Sequence, residues 1–400
     1  MRTLTRAAAR IEAHTPAHRD RALDGLRALA LLAVPAGHWL VGGLTRDGGG
    51  GLHNASPLAT FGGLAPASWV LQMLGIFFLV GGHASYLSYR RRKGSARQWT
   101  LGRVRRLGRP LLGVTAVWAL LLPLLHYGLR VPADTLHTAA TLVVQPLWFV
   151  GVYAVITALT PYCVRASARL GAWAALPLIG SVAVVDFLRY GPYGDAMPSC
   201  LSLLNLLPGW MFAYQLGVSW AGRRIGRRGA WLLLLGGAAL FATLLLAFHY
   251  PVSMVGVPGE ARTNSHPPSL LVLALAAAQS GAAILLHDRL ARALRRPALW
   301  APVVLVNLSA MTILCWHQSA MLAAAIPGAF LGAIPGLTTA PVTVGWVLAR
   351  LAWMPLFAGL LVVITKYARP LEDPWKRTGA VRAVAVGVLA AGFGYFALAA

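Results

Sequence analysis

The chain has 400 residues, of which 58% are hydrophobic and only 12% are charged, and its mean hydropathy is +0.64. A soluble domain carries about 25% charged residues, so this composition excludes a soluble fold for most of the chain. Lys and Arg together number 35, against 11 Asp and Glu. On a soluble protein such an excess would suggest nucleic-acid binding, but its distribution along the chain points elsewhere.

Apolar stretches recur along the chain, and a membrane-spanning helix needs about 20 mostly apolar residues. The candidate spans are residues 23–44, 68–89, 108–128, 140–161, 171–188, 201–220, 230–250, 268–287, 300–325, 343–366 and 380–400. Lipid offers no hydrogen-bond partners to the backbone, so spanning segments of this kind must be helical. The sequence therefore predicts an all-α membrane protein, a polytopic bundle of 10–11 transmembrane helices.

The basic residues are concentrated in alternate loops. With a cytoplasmic N-terminus, 29 of the 35 lie in inside segments, four lie in outside loops, and two, Arg27 and Arg350, lie within spans. This split follows the positive-inside rule and supports the cytoplasmic N-terminus. Membrane lipids, rather than nucleic acid, are then the expected partners of the positive charge. The Arg-, Ala- and Gly-rich composition favours a GC-rich bacterial genome, so we expect a multi-pass protein of the bacterial cytoplasmic membrane.

The first predicted helix carries ionisable residues that are costly in lipid and usually mark function. Arg27 and His38 are separated by 11 positions, which turns a helix about 20° beyond three full turns. They therefore share one face, about 16 Å apart along the axis. A guanidinium suits recognition of a phosphate or carboxylate, and an imidazole suits proton transfer near neutral pH. For each residue alone, snorkelling or an interhelical hydrogen bond is the simpler interpretation.

Motifs in a fixed order resemble the acyltransferase-3 family of membrane acyltransferases. They are the first-helix Arg27, ten residues and His38; the segment from Phe77 to Gly82; the Arg-x-x-Arg pair Arg103 and Arg106; the Leu-Trp-Phe run at 147–149; and the late Trp316-His317 pair. The resemblance covers roughly residues 20–370. It implies a domain at 21–370, preceded by a basic cytoplasmic tail at 1–20. A short cytoplasmic link and an extra transmembrane helix follow at 371–400.

The resemblance implies an enzyme that moves an acyl group, often acetyl, from acyl-CoA to a hydroxyl on a glycan, lipid or small metabolite. The acceptor is expected to be extracytoplasmic or lipid-linked, and acyl-CoA is a co-substrate rather than a bound cofactor. His38 would be the base or acyl carrier, with Arg27 in the catalytic site and Arg103 and Arg106 binding the donor. Where many members of the family carry an acidic residue soon after Leu-Trp-Phe, this chain is uncharged, so the partner of His38 is left open.

Four further residues are predicted as possible substrate contacts: His317, Trp316, His83 and Asn264. Asn264 lies in a polar, Gly- and Pro-rich loop on the predicted outer side, whereas the other three lie in spans. For His83 an interhelical hydrogen bond is the simpler interpretation. The three cysteines, Cys163, Cys200 and Cys315, lack metal-ligand spacing, so no metal site is expected.

The sequence alone leaves two other classes of function open. A transporter or lipid flippase could use the same polar groove as a substrate path, although inverted repeats typical of transporters are not evident in the sequence. A catalytically silent relative is the third possibility, against which the intact spacing of Arg27 and His38 argues.

Overall fold

The computed structural model describes residues 9–191, 198–257, 260, 262–372 and 380–398. Within these ranges the chain is almost entirely helical, as the apolar pattern predicts. In chain order the helices are α1 (Arg21–Val41), α2 (Ala67–Leu71), α3 (Leu74–Arg90), α4 (Ala96–Pro123), α5 (Ala133–Val144), α6 (Trp148–Ala158), α7 (Thr160–Leu170), α8 (Leu176–Tyr190), α9 (Leu206–Ala221), α10 (Arg227–Leu246), α11 (Leu270–Ala293), α12 (Pro297–Leu308), α13 (Ala310–Leu331), α14 (Val344–Glu372) and α15 (Ala380–Leu398). Short 3₁₀ turns and one π-helical turn, Leu124–Gly128, join several of them.

Eight helical stretches among the described residues are long and apolar enough to cross a membrane. They are Gly62–Arg90, Ala96–Gly128, Ala133–Ala158, Thr160–Tyr190, Arg227–Leu246, Leu270–Ala293, Ala310–Leu331 and Val344–Ala368. The predicted class, an all-α polytopic membrane protein, is therefore confirmed.

Two more of the predicted spans are helices that fall short of this measure, because charged and polar residues lower the hydropathy of α1 and because α9 has only 16 residues. The last predicted span, 380–400, corresponds to the 19-residue α15, of which Val384–Phe396 is an apolar stretch. The predicted ninth span, 300–325, is wrong as a single helix. The chain breaks at Ser309, which separates the 12-residue α12 from α13.

A small antiparallel hairpin follows α1, and its first two residues lie within the predicted first span, 23–44. Strand β1 (Gly43–Arg46) pairs with β2 (Leu52–Ala55), so that Gly43 lies opposite Ala55. The backbone N–H of Leu52 donates to the Thr135 hydroxyl on α5 at 2.8 Å. The hairpin therefore begins within two residues of the end of α1 and is fixed to a neighbouring helix.

The chain divides into two compact units, of which the first comprises Met1–Ala33, Ala65–Leu101 and Val152–Leu308. In this unit α10 packs on α11 and α3 packs on α9. A Cβ atom at Gly82 would lie 2.0 Å from the Tyr214 carbonyl oxygen, and one at Gly217 would lie 1.9 Å from the Leu79 carbonyl oxygen. Helices α3 and α9 are thus in direct backbone contact, as small residues permit between membrane helices.

The second unit comprises Val34–Leu64, Gly102–Gly151 and Ser309–Ala400. Helix α13 packs on α14 and α5, and α15 packs on α5. The Trp118 indole N–H donates to the Ser319 hydroxyl on α13 at 2.9 Å, and the Phe393 ring of α15 lies 6.4 Å from the Trp118 ring. Most of the described part of α13 is buried, which makes it the central helix of this unit.

Candidate active site

His38 forms a pair with a second histidine within the second unit. His38 lies near the end of α1, partly exposed, and its Nδ1 is 3.3 Å from Nε2 of His317 on α13. The two rings meet edge to face with their centroids 4.9 Å apart. His317 is completely buried. The Trp39 indole N–H donates to the His317 carbonyl oxygen at 3.0 Å, so α1 and α13 are joined at two successive residues of α1.

The hydrogen bonds of His317 determine which nitrogen of each ring carries a proton. Nδ1 of His317 lies 2.9 Å from the Leu314 carbonyl oxygen, which can only accept, so this nitrogen is the N–H donor. In the neutral ring Nε2 is then an acceptor. The proton between the two histidines must therefore sit on Nδ1 of His38. The basic lone pair of His38 is consequently on its Nε2.

Gln318 is the second neighbour of His38 Nδ1. Its side-chain amide nitrogen lies 3.1 Å from that atom, and its Oε1 has no partner among the described residues. Because the two ends of an amide exchange places by rotation about its terminal torsion, Oε1 can occupy this position and accept the same N–H. With the amide in that orientation Gln318 is compatible with a proton on His38 Nδ1, and the assignment itself rests on His317.

Arg350 fixes the end of the helix that carries His38. Its side chain on α14 is fully buried and donates from Nε to the Trp39 carbonyl oxygen at 2.6 Å, and from Nη2 to that of Gly42. Nη1 donates to the Gly336 carbonyl oxygen at 3.0 Å. No carboxylate pairs with Arg350 in the described part of the chain. The charge therefore interacts with the free carbonyl groups at the C-terminal end of α1, where cations are favourable.

Arg27, the other sequence-predicted residue of α1, lies in the first unit. It is partly exposed and lines a cavity of about 440 Å³ with residues of the segment that precedes α1. Arg27 and His38 lie on one helix, which runs from Arg21 to Val41 with Pro35 inside it, and their shared face stays a prediction.

His83 is also in the first unit, on α3. Its ring lies 4.8 Å from the Trp220 ring, centroid to centroid, and its buried Nδ1 has no hydrogen-bond partner among the residues described. Trp220 in turn contacts His287, whose Nε2 lies 3.0 Å from a carboxylate oxygen of Asp20. The His83 side chain forms no hydrogen bond with another helix among the described residues, so the interhelical bond considered from the sequence is not seen there.

The predicted donor-binding residues, Arg103 and Arg106, lie one turn apart near the start of α4. Arg103 is partly buried, whereas Arg106 is exposed and its Nε donates to the Gly102 carbonyl oxygen at 3.3 Å. Residues at positions i and i+3 are neighbours on a helix surface, so both guanidinium groups can act on one anion.

Trp316 and Asn264 occupy different surroundings from each other. Trp316 is buried, and its indole nitrogen has no partner within the described ranges. The Asn264 amide donates to the carbonyl oxygens of Pro251 and Ser253, and accepts from the Ser269 hydroxyl. All of these bonds are internal to the loop, so the geometry gives Asn264 a structural role there.

Sequence reasoning missed two residues that the structure brings to the site. Gln318 directly follows the Trp-His pair, but nothing in its spacing pointed to His38. Arg350 was visible as a cation within a span, which is a signal in itself, although its partners could not be named. They prove to be backbone carbonyl groups, which have no sequence signature.

The fold and this arrangement define a class: a multi-pass helical membrane protein with a histidine pair, one member of which is partly exposed. The family model described as an acyltransferase domain of the acyltransferase-3 family matches residues 20–365. The chain therefore belongs to the acyltransferase-3 family and is a membrane acyltransferase. No curated protein and no solved structure matches it.

Proposed function

We propose that this acyltransferase moves an acyl group from acyl-CoA to a hydroxyl of a glycan, lipid or small metabolite, with His38 as general base. The observation that supports the proposal is the chain of close contacts from the Leu314 carbonyl oxygen through the His317 ring to Nδ1 of His38, from which the tautomer of His38 is inferred. Leu314 fixes the proton of His317 on Nδ1, and His317 in turn fixes that of His38, which leaves a basic Nε2. An imidazole with its proton-accepting nitrogen defined in advance is what general-base catalysis requires.

In the proposed reaction Nε2 of His38 takes the proton of the acceptor hydroxyl. The oxygen forms a bond to the thioester carbonyl carbon, the carbon–sulfur bond breaks, and the departing thiolate of CoA takes the proton from Nε2 of His38, which returns His38 to its neutral form. His317 stays neutral in this step and stabilises the imidazolium of His38 by accepting its Nδ1–H. The neutral partner supplies the orienting hydrogen bond that an acidic residue supplies in other base-assisted sites.

Donor recognition is proposed for Arg103 and Arg106, and membrane lipids surround the spans. The phosphates of CoA are anions that guanidinium groups bind in a bidentate manner. The acceptor is proposed to be extracytoplasmic or lipid-linked, because the predicted topology puts the end of α1, and so His38, toward the outer side. The predicted location is the bacterial cytoplasmic membrane.

The test uses purified full-length protein in liposomes with radiolabelled acetyl-CoA. Release of CoA and transfer of label are compared for wild type, His38→Ala and His126→Ala, the last replacing an exposed histidine of the same unit. We expect His38→Ala to lower the rate by at least about 100-fold, which is the usual contribution of a general base. His126→Ala should retain the wild-type rate.

Equal activity of wild type and His38→Ala would refute the role of His38. A complete lack of turnover with acetyl-CoA, together with His38-dependent transfer from a different activated ester, would refute acyl-CoA as the donor but support His38 as the general base. In the double variant Arg103→Gln with Arg106→Gln, the expected effect is a higher KM for the donor at a similar kcat.

A further inference from the structure

The segment before α1 is folded against the first unit rather than extended from it. Arg21 forms an ion pair with Glu12 at 2.6 Å and also donates to the Leu294 carbonyl oxygen. The Trp300 indole N–H donates to the Thr15 hydroxyl at 2.8 Å. Residues 9–20, called here the N-terminal segment, are therefore held against α12 by specific bonds.

The N-terminal segment closes a cavity of about 440 Å³ against α1 and α12. The residues that line this cavity include both arginines and apolar side chains. Its residues are Arg10, Ile11, His14, Thr15, Pro16 and Arg19 of the segment, Asp24 and Arg27 of α1, and Trp300, Val304, Asn307 and Leu308 of α12. A volume of this size is within the range of small-ligand sites.

The charges that line this cavity do not balance. Arg19 is paired with the single acidic residue of the lining, Asp24, through two hydrogen bonds. Arg10 and Arg27 remain, and neither guanidinium has a hydrogen-bond or ion-pair partner among the residues that the structure describes. Glu12 is already paired with Arg21. Two guanidinium groups thus line the cavity without a protein anion to neutralise them.

Arg27 makes this imbalance costly because it lies within the first predicted membrane span. Charged side chains at such positions are paired, or line a path for an ion or substrate. A guanidinium without a counter-ion can bind the oxygen atoms of a phosphate in a bidentate manner, and a phosphate carries enough charge to pair with two guanidinium groups. The apolar side chains of Ile11, Val304 and Leu308 would contact a non-polar part of the same ligand.

We propose that the cavity closed by the N-terminal segment binds a phosphate group through Arg10 and Arg27, on a ligand that also has an apolar part. Two sources have this chemistry: a soluble nucleotide such as the CoA portion of the donor, and the headgroup of an anionic phospholipid. Arg103 and Arg106 are not among the residues that line this cavity, and they belong to the other unit.

The experiment measures binding of desulfo-CoA, which lacks the reactive thiol, to full-length protein in phosphatidylcholine nanodiscs. A second arm measures retention of phosphatidylglycerol by native mass spectrometry after purification from mixed phosphatidylcholine and phosphatidylglycerol vesicles. The variants are Arg10→Gln and Arg27→Gln. Arg228→Gln, an exposed arginine outside the cavity lining, is the matched control. Because Arg10 is itself exposed and makes no side-chain bond within the described residues, Arg10→Gln should fold normally.

We expect Arg10→Gln to weaken binding of one probe by about tenfold, the loss of one charge-assisted contact, while Arg228→Gln binds as wild type. Weakened desulfo-CoA binding assigns the site to a soluble phosphate ligand, and lost phosphatidylglycerol retention assigns it to a lipid headgroup. If Arg10→Gln and Arg27→Gln match Arg228→Gln with both probes, the proposal is overturned. His38→Ala should bind both probes as wild type does. The binding assay therefore tests the phosphate site, and the acyl-transfer assay tests the proposed function independently.

Discussion

Replacing Gly82 by Ala should separate two helices of the first unit. The added Cβ atom would lie 2.0 Å from the Tyr214 carbonyl oxygen, about 1.4 Å short of the 3.4 Å at which ordinary contact begins. The obstacle is backbone, which cannot rotate away as a side chain can. Gly217 meets the Leu79 carbonyl oxygen in the same way from the opposite helix, so α3 and α9 can relieve the clash only by moving apart.

The cost follows from what that movement disturbs. Tyr214, Phe78 and Trp210 are almost completely buried at this contact, with Phe78 and Trp210 stacked at 5.5 Å. Forcing an extra methyl group into a close-packed site costs about 1–3 kcal/mol and occasionally more. The better helix propensity of Ala returns up to about 1 kcal/mol. We therefore expect Gly82→Ala to lower the free energy of unfolding by about 1–2 kcal/mol.

The measurement is thermal or denaturant unfolding of purified protein in one fixed detergent. Gly236→Ala and Gly237→Ala on α10 provide adjacent controls. A Cβ atom at Gly236 meets nothing within 4 Å, whereas one at Gly237 would lie 2.5 Å from the Ala278 backbone nitrogen. Gly236→Ala should be neutral or slightly stabilising, and Gly237→Ala should destabilise as Gly82→Ala does. If Gly82→Ala unfolds at or above the wild-type temperature, the close backbone contact of α3 and α9 is refuted.

Three further predictions concern the histidine pair, its support and the N-terminal segment. His317→Gln should reduce kcat by about 10²-fold and alter the pH profile of the rate, with little change in the KM for the donor, because an imidazole no longer directs the proton on His38 Nδ1. Steady-state kinetics measured across pH test this, and an unchanged pH profile would contradict it. Arg350→Met leaves three backbone carbonyl oxygens without their donor and should lower the free energy of unfolding by about 3–5 kcal/mol, and Arg350→Lys should lose less. Unfolding in detergent measures the stability of both variants, and equal stability of the two would be evidence against the carbonyl contacts. Burial raises the pKa of Asp20, but hydrogen bonds from His287 and from the Leu23 backbone outweigh this effect and hold the pKa below its usual range near 3.9. Docking of the N-terminal segment is therefore stabilised above about pH 4 and weakens as the pH falls below that value. Limited proteolysis of the segment at several pH values, in wild type and in Asp20→Asn, tests this.

The helices could be predicted because the bilayer imposes a strong and simple rule. A segment in lipid must satisfy its own backbone, so length and apolarity are enough to identify most spans. The same rule explains the errors. Helix α1 is less apolar because it carries Asp24, Arg27 and His38, and the break at Ser309 has neither Gly nor Pro to mark it. The β1–β2 hairpin is short and Gly-rich, without the alternating pattern that predicts strands.

The candidate site could be predicted only in part. Arg27 and His38 were found because charge in a membrane helix is costly and their spacing fits one helical face. The pairing of His38 with His317 depends on how distant helices pack, which the spacing of a single sequence does not contain. The contacts of Arg350 were even less accessible, since its partners are carbonyl groups that every residue has.

The separation in sequence between His38 and its partners has a consequence for how the protein is made. His317 follows His38 by 279 residues, and Arg350 follows Trp39 by 311. At translation rates of about 5–20 residues per second, α1 is inserted roughly 15–55 s before its histidine partner is synthesised. During that interval the polar residues of α1 are in the membrane without the contacts that later surround them. The ribosome must therefore reach almost the last helices of the chain before the histidine pair can assemble, and a nascent chain that stops early carries His38 without His317.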